Sequence, residues 1–268
     1  MRLALIREVF HGVDGLARLA ERLAEAAGAG AELAVLPEFP MDPWFPVRRE
    51  RREADAEPPG GARAQAQAAA ARRAGVALVG GALVVDPASG RRHNETWVFD
   101  RAGRRVGTYR KAHLPEEPGF WEASQYDPGD DPPERIEIDG LAIGIQTCSD
   151  NQRPMGTHAL AAMGARLIVA PRATESATWD RWRLVFRANA RTAAVWIATV
   201  TRPPEGGTIP TGGPSALFSP EGDVVLETEA CLAIVEVADD AIDAARRGYP
   251  GSLAVRPDLY RRMWERAK

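Results

Sequence analysis

Cysteine is nearly absent from this chain: of 268 residues only Cys148 and Cys231 carry a thiol. Two thiols make no disulfide framework, so each is read as a lone cysteine in a reducing compartment, and a cytoplasmic address is expected. Histidine is almost as scarce. His11, His93, His113 and His158 are scattered, and none pairs at i, i+4 around a glutamate, so no metal site is expected. The apolar stretch Ala74–Val85 runs twelve residues with two adjacent glycines, against the ~20 that a membrane span needs. Between Arg2 and Arg7 there are four apolar residues, too few for the core of about 7 or more in a secretion signal. Basic charge is not in excess either: 34 Lys and Arg stand against 37 Asp and Glu, a net charge of -3. The short run Arg48, Arg49, Arg51 and Arg52 is no nucleic-acid footprint, so neither nucleic acid nor membrane is expected as a partner.

Familiar motifs are missing as well. There is no GxxxxGK[ST], and Gly28-Ala29-Gly30 precedes a strand, whereas a dinucleotide fingerprint follows one and runs on to a third glycine. No cofactor is implied. Ser215, in Gly213-Pro214-Ser215-Ala216, lacks the second glycine of a hydrolase elbow, which leaves a serine triad without support.

What is present is an alternation of short apolar runs with helical patterns, on a chain that is 45% hydrophobic. A single fold of this length buries roughly three quarters of the surface of its unfolded chain, so one domain over 1–268 is expected. Leu3–Ile6 reads as a buried strand. Leu16, Leu19 and Leu23 follow at helical spacing behind a candidate cap, Asp14, and Leu33–Leu36 is the next strand. Pro, Arg and Glu dominate 40–61, which reads as a surface loop, before a helix over 63–73 and a strand over 76–85. Asn94–Asp100 and Arg105–Arg110 flank a turn and read as a hairpin. A second loop rich in Pro, Glu and Gly, 114–133, precedes strands at 135–138 and 141–146. Then come a helix over 154–163, a strand over 166–170, a helix over 178–193 with its stripe at Trp179, Trp182, Val185, Phe186 and Ala193, a strand over 195–200 and another hairpin. Phe99, Gly103 and Val106 have the same spacing as Phe218, Gly222 and Val225, so strand, helix, strand, helix and hairpin occur twice. The order predicts an α/β fold: a four-layer α-β-β-α sandwich of two mixed sheets.

Three segments put a chemically capable residue just past a predicted strand: Glu38 in Leu36-Pro37-Glu38, Lys111 in Tyr109-Arg110-Lys111-Ala112-His113-Leu114, and Cys148 in Cys148-Ser149-Asp150. Ligand crevices in open α/β sheets lie outside the carboxyl ends of the strands, so the three can converge. A thiol of ordinary acidity is only about 3% thiolate at pH 7, and a neighbouring base or cation makes it a nucleophile. Cys231, without such company, reads as a small apolar residue.

On these blocks, together with Gly-Ala-Arg-Leu-Ile-Val-Ala-Pro at 164–171, the chain resembles the nitrilase superfamily of carbon-nitrogen hydrolases over nearly its whole length. The resemblance implies a Glu38, Lys111, Cys148 catalytic set. The stretch Pro118-Gly119-Phe120-Trp121-Glu122, followed by Tyr126-Asp127-Pro128-Gly129, resembles the carbamoyl-amide hydrolases of the N-carbamoylputrescine amidase branch. It implies a second glutamate, Glu122, with Glu116 and Glu117 as competitors. The implied reaction is cleavage of a small amide or N-carbamoyl compound through a cysteine thioester, with release of ammonia. Glu38 acts as acid and base, and Lys111 and the Ser149 backbone N–H face the oxyanion. Pro154-Met155 stands where relatives carry Pro-Glu, and Ser149-Asp150 departs from the Trp-Glu of nitrilases, favouring an amide over a nitrile. Asp150 reads as a turn residue. Arg172, past the strand ending at Ala170, and more weakly Arg153, are candidates for a substrate carboxylate, and Trp44 and Trp121 for pocket walls. Self-association as a homodimer or larger assembly follows from the resemblance. A non-catalytic binding protein of the same fold, an acyl or amide transferase and a nitrilase remain alternatives.

Overall fold

The computed structural model describes residues 1–205 and 211–267. The first half contributes β1 (Arg2–Ile6), β2 (Leu33–Val35), β3 (Ala77–Val85), β4 (Arg92–Phe99) and β5 (Arg105–Arg110), with α1 (Gly15–Gly28) and α2 (Ala62–Ala74) between the first three. Residues 3–6 and the whole of β2 are buried, as expected for short apolar runs covered on both faces. Helix α1 buries Leu19, Leu23 and Ala26, one stripe at helical spacing, while Leu16 stays exposed; Asp14 makes no side-chain cap bond. Alanine-rich α2 begins where the Glu57 carboxylate accepts the N–H groups of Arg63 (2.7 Å) and Ala64 (3.0 Å), and ends at Gly75 with φ 66°. Both devices satisfy helix-end groups that would otherwise be orphaned.

A short hairpin, β6 (Glu116–Glu117) and β7 (Phe120–Trp121), and one turn of helix, α3 (Glu122–Gln125), occupy the second loop. The second half then supplies β8 (Ile136–Ile138), β9 (Leu141–Ile145), α4 (Pro154–Ala162), β10 (Leu167–Arg172), α5 (Trp179–Ala193), β11 (Trp196–Thr201), β12 (Ser215–Phe218) and β13 (Val224–Thr228). Strand β14 (Leu232–Glu236) returns to pair antiparallel with β1; α6 (Asp239–Arg247) and α7 (Pro257–Glu265) end the chain. No helix among the described residues is long and apolar enough to cross a membrane.

The sheets run β14-β1-β2-β3-β4-β5 and β8-β9-β10-β11-β12-β13. In each, three parallel strands lie second to fourth, with antiparallel neighbours on both sides. The repeated order read from the sequence is therefore a repeat of architecture. Leu3, Leu5, Val35 and Val79 of one sheet meet Ile143, Ile145, Val169 and Val200 of the other in a central core. The outer face of the first sheet packs on α1 and α2, and that of the second on α4 and α5. These are the four layers.

The segments 40–61 and 114–133 differ from the surface loops the sequence suggests. Their aromatic residues Trp44, Phe45, Phe120 and Tyr126 join Phe39, Leu83 and Ala173 in a buried cluster of their own. The polar composition describes only their outer side.

Strand β3 tolerates no side chain at its glycine pair. Gln67, wholly buried on α2, accepts the Gly81 N–H (2.9 Å) and donates to the Gly81 carbonyl (3.2 Å). A Cβ on Gly81 would lie 2.2 Å from the Glu95 carbonyl, and one on Gly80 would lie 1.9 Å from Gln67 Oε1. Gly81→Ala is expected to destabilise the fold by about 1–3 kcal/mol through overpacking. Urea melts of the two proteins check this, and coincident transitions would refute it.

Candidate active site

Glu38 lies in the turn after β2, Lys111 immediately after β5, and Cys148 at the start of a 3-10 turn (Cys148–Gln152) after β9, while Glu122 opens α3. All four are buried: 2% exposed for Glu38, 0% for Lys111 and Glu122, 3% for Cys148. The Lys111 ammonium donates to Glu38 Oε1 (2.9 Å) and to Glu122 Oε2 (2.5 Å). Asn94 Nδ2 donates to Glu38 Oε1 (2.7 Å), and the Tyr126 hydroxyl donates to Glu122 Oε2. The backbone of Ala173, just past β10, serves both remaining groups: its N–H donates to Glu38 Oε2 (3.1 Å), and its carbonyl accepts the Cys148 S–H (3.5 Å). One peptide residue thus seats the thiol beside the carboxylate.

Charge in so dry a place shifts proton affinities. Burial penalises the Lys111 ammonium, but Cys148 whenever it is ionised, and the carboxylates of Glu122 and Glu38, outweigh it and hold the lysine protonated well above its usual range. Burial pushes Glu122 up to about 7, with Lys111 pulling it down and Glu38 pushing it further up. Burial likewise pushes the Cys148 thiol up; Lys111 opposes this, while Glu38 and Glu122 add to it. The resting sulfur is therefore a neutral thiol.

The backbone is strained at two points of the site. Cys148 and Phe39 are both non-glycine residues at φ 48°, a left-handed conformation that costs of the order of 1–3 kcal/mol and persists only where surroundings enforce it. Around Cys148 the enforcement includes Asp150, 1% exposed, whose Oδ1 accepts the Ala112 (3.2 Å) and His113 (2.9 Å) N–H groups and faces His113 Nδ1 (2.8 Å). Its Oδ2 accepts the Tyr109 hydroxyl (2.8 Å). Asp150 thereby ties both flanks of Lys111 to the cysteine turn. Ser149 Oγ adds a bond to the His113 carbonyl (2.5 Å).

The remaining candidates make their hydrogen bonds to groups other than Glu38, Lys111, Cys148 and Glu122. Glu116 is exposed and accepts the Ser124 N–H (2.9 Å), and Glu117 is exposed too, so of the three loop glutamates Glu122 is the one that meets Lys111. Trp44 is buried, donating to the Gly119 carbonyl (2.9 Å) and packing against Phe39 and Phe120, and half-buried Trp121 lies under the Arg49 guanidinium at 3.8 Å. Arg153 is exposed and donates to the Gln152 carbonyl. Arg172 already has partners within the protein, and its charge is felt by Cys148. Strand β10 runs two residues further than Ala170, and its alternation puts Arg172 on the face shared with Ile168 and Ala170, against α5. There its guanidinium stacks 4.8 Å over Trp179 and donates to Thr199 Oγ1 (3.1 Å) and the Pro214 carbonyl (2.5 Å), wholly buried.

Asn94 and Tyr126 were not singled out from the sequence. The signal for Asn94 was available: with Thr96 it occupies the β4 face that carries Val98 into the core between the sheets, and a polar residue on such a face needs a partner. No group of three or more His, Cys, Asp or Glu side chains among the described residues is arranged to hold a metal ion.

The profile of the carbon-nitrogen hydrolase family matches residues 13–247. The chain is 27% identical over 194 residues to an N-carbamoylputrescine amidase of Solanum tuberosum, a match covering 66% of this chain and 65% of that protein. It is 30% identical over 251 residues to a chloroplastic omega-amidase of Arabidopsis thaliana, covering 88% of this chain and 66% of that one. The chain thus spans just under two thirds of either plant protein. In fold it resembles the crystal structure of a carbon-nitrogen hydrolase from Helicobacter pylori, with a TM-score of 0.84 at 21% identity over 98% of both chains. With most of its length matched by one family profile, the chain belongs to the carbon-nitrogen hydrolases.

Proposed function

We propose that this hydrolase cleaves a carbon-nitrogen bond of a small amide or N-carbamoyl compound, with Cys148 as nucleophile and a thioester intermediate. The observation that carries the reading is the convergence of Cys148, Glu38, Lys111 and Glu122 from four segments into one buried cluster. Because the resting thiol is neutral, attack on the carbonyl carbon requires a base at that moment, and Glu38, seated on the same Ala173 residue, takes the proton. The oxygen that becomes negative faces the Lys111 ammonium and the Ser149 backbone N–H. Collapse of the intermediate breaks the C–N bond, and Glu38 returns its proton to the departing ammonia or amine. Water, deprotonated by Glu38, then hydrolyses the thioester and regenerates the thiol.

An amide substrate also fits the one orphan of the cluster. Glu122 Oε1 is buried without a hydrogen-bond partner, a state that costs about 1–3 kcal/mol until a donor arrives. The N–H of an amide or ureido group is such a donor. The relatives act on bonds of this type by their names, N-carbamoylputrescine amidase and omega-amidase. A reducing, cytoplasmic setting belongs to the same reading, since both cysteines are free. So does self-association, supported by Leu253, Val255, Tyr260, Met263 and Trp264 near the C-terminus, all exposed. Light scattering that returned the mass of one chain would remove that last element.

Ammonia release from a panel of amides and ureido acids tests the chemistry. Cys148→Ala is expected to abolish turnover and leave the melting curve in place, since thiol to methyl removes little volume; an active variant would end the proposal. Glu38→Gln is expected to lose about 100- to 10,000-fold in kcat, the range for acid/base help, and retention of a tenth of the rate would contradict the base role.

Glu122 predicts a pH signature in stability. Its carboxyl titrates near 4.5 in the unfolded chain and about 7 in the folded one, so the native state holds the extra proton between those values. The stabilisation from this uptake is complete below pH 4.5 and is lost as pH rises through 7. The melting temperature of the parent, measured relative to Glu122→Gln, should therefore fall from pH 5 to pH 8. A pH-independent gap between the two would exclude the raised carboxyl.

A further inference from the structure

Arg202 follows β11 in the second sheet and is wholly buried, yet its side chain crosses to the turn that carries Glu38 in the first. Nη1 donates to the Glu38 carbonyl (2.9 Å) and the Phe39 carbonyl (2.5 Å), and Nη2 donates to the Asp42 carbonyl (2.7 Å). Nε donates to Glu205 (2.6 Å), which supplies the counter-charge, and the Trp44 ring lies 5.6 Å from the guanidinium carbon. Three carbonyls of one turn converging on a single buried cation is more than solvation of a loose loop requires. The middle one belongs to Phe39, the non-glycine residue at φ 48°, whose conformation needs an external hold.

We infer that Arg202 is a positioning residue for the amidase reaction proposed above: it clamps the backbone of the Glu38 turn in the left-handed bend that presents the carboxylate to Cys148. The inference rests on that reaction, because it assigns Glu38 the proton transfer. Arg202 and Ala173 anchor Glu38 from the same sheet by different means. Ala173 N–H fixes the carboxylate, and Arg202 fixes the backbone from which it springs. The Arg202 N–H donates to the Arg172 carbonyl (3.1 Å), so the clamp is built on the residue before Ala173. The base is thereby held in the frame of β10 and β11, beside the nucleophile, and the separation of the two sheets alone does not set its distance to sulfur. A planar fork with donors in several directions reaches three carbonyls and a carboxylate together, whereas a lysine ammonium is one point with three donors.

Arg202→Lys, which keeps the charge and loses the fork, is the test. It is expected to lower kcat by about 10- to 100-fold, the range for a reacting group displaced by an ångström or so, with KM within about 2-fold of the parent. In the Glu38→Gln background the same change should not lower the residual rate of Cys148 alkylation by iodoacetamide further, because the residue it positions is already disabled. A kcat within about 3-fold of the parent in folded Arg202→Lys, or an equal loss with and without Glu38, overturns the inference. Should Arg202→Lys fail to fold, Glu205→Gln replaces it: a kcat lowered at least about 3-fold at unchanged KM supports the clamp, and an unchanged kcat overturns it. Activity in Cys148→Ala would defeat the reaction itself; loss there with retention in the Arg202 variant would defeat the clamp alone.

Discussion

A protonated lysine with no exposure to water sets the terms for this structure. Taking an ammonium out of solvent costs several kcal/mol even after the protein relaxes, and only close carboxylates with good geometry offset it. Lys111 has two, Glu38 at 2.9 Å and Glu122 at 2.5 Å, and each of them is buried and in need of a cation in return. None of the three is tolerable alone. Their pairing requires that the end of β5, the turn after β2 and the start of α3 arrive at one point. That point lies beside the second sheet, where Ala173 and Cys148 complete the cluster. The sandwich is what brings those chain segments to within a few ångströms, and the ion cluster is what makes that arrangement discriminating.

The same balance decides how the sulfur is used. Burial, which the one ammonium does not offset and the neighbouring carboxylates reinforce, keeps the thiol protonated and lets Glu122 take a proton near neutral pH. A cysteine activated only by a neighbouring cation would be reactive toward any electrophile that reached it. In the reaction proposed above the proton moves in concert with attack, which would tie reactivity to a substrate that occupies the site.

Much of this was legible in the sequence because it is written in local terms. Glu38 and Cys148 stand just past apolar runs and Lys111 just past a hairpin strand, and Lys111 is one of only two lysines in the chain, the other being Lys268. In a protein that otherwise uses arginine for positive charge, that choice marks a compact ammonium site. Period-two alternation also held the answer for Arg172: Ile168, Ala170 and Arg172 share a face, and that face belongs to α5. What could not be read were contacts made across the fold. Tyr126 looks like any loop aromatic, and the Ala173 peptide has no side-chain signature at all. Segments 40–61 and 114–133 read as surface loops because their Arg, Glu and Pro residues outnumber the few aromatics that turn inward.

Segments 40–61 and 114–133 are joined to each other by single hydrogen bonds and one cation–aromatic contact. Trp44 donates to the Gly119 carbonyl, Gln125 to the carbonyls of Arg48 (2.5 Å) and Glu50 (2.8 Å), and Arg51 to that of Ser124 (2.8 Å), while Arg49 rests on Trp121. Each such link is worth about 1 kcal/mol net, whereas separating a buried ion pair costs about 3–5 kcal/mol. Glu122 and Tyr126 belong to the second of these segments, so the buried Lys111–Glu122 pair also fastens it to the end of β5. The weaker hydrogen bonds thus link the two segments to each other, and the stronger ion pair links the second of them to the catalytic candidates beneath.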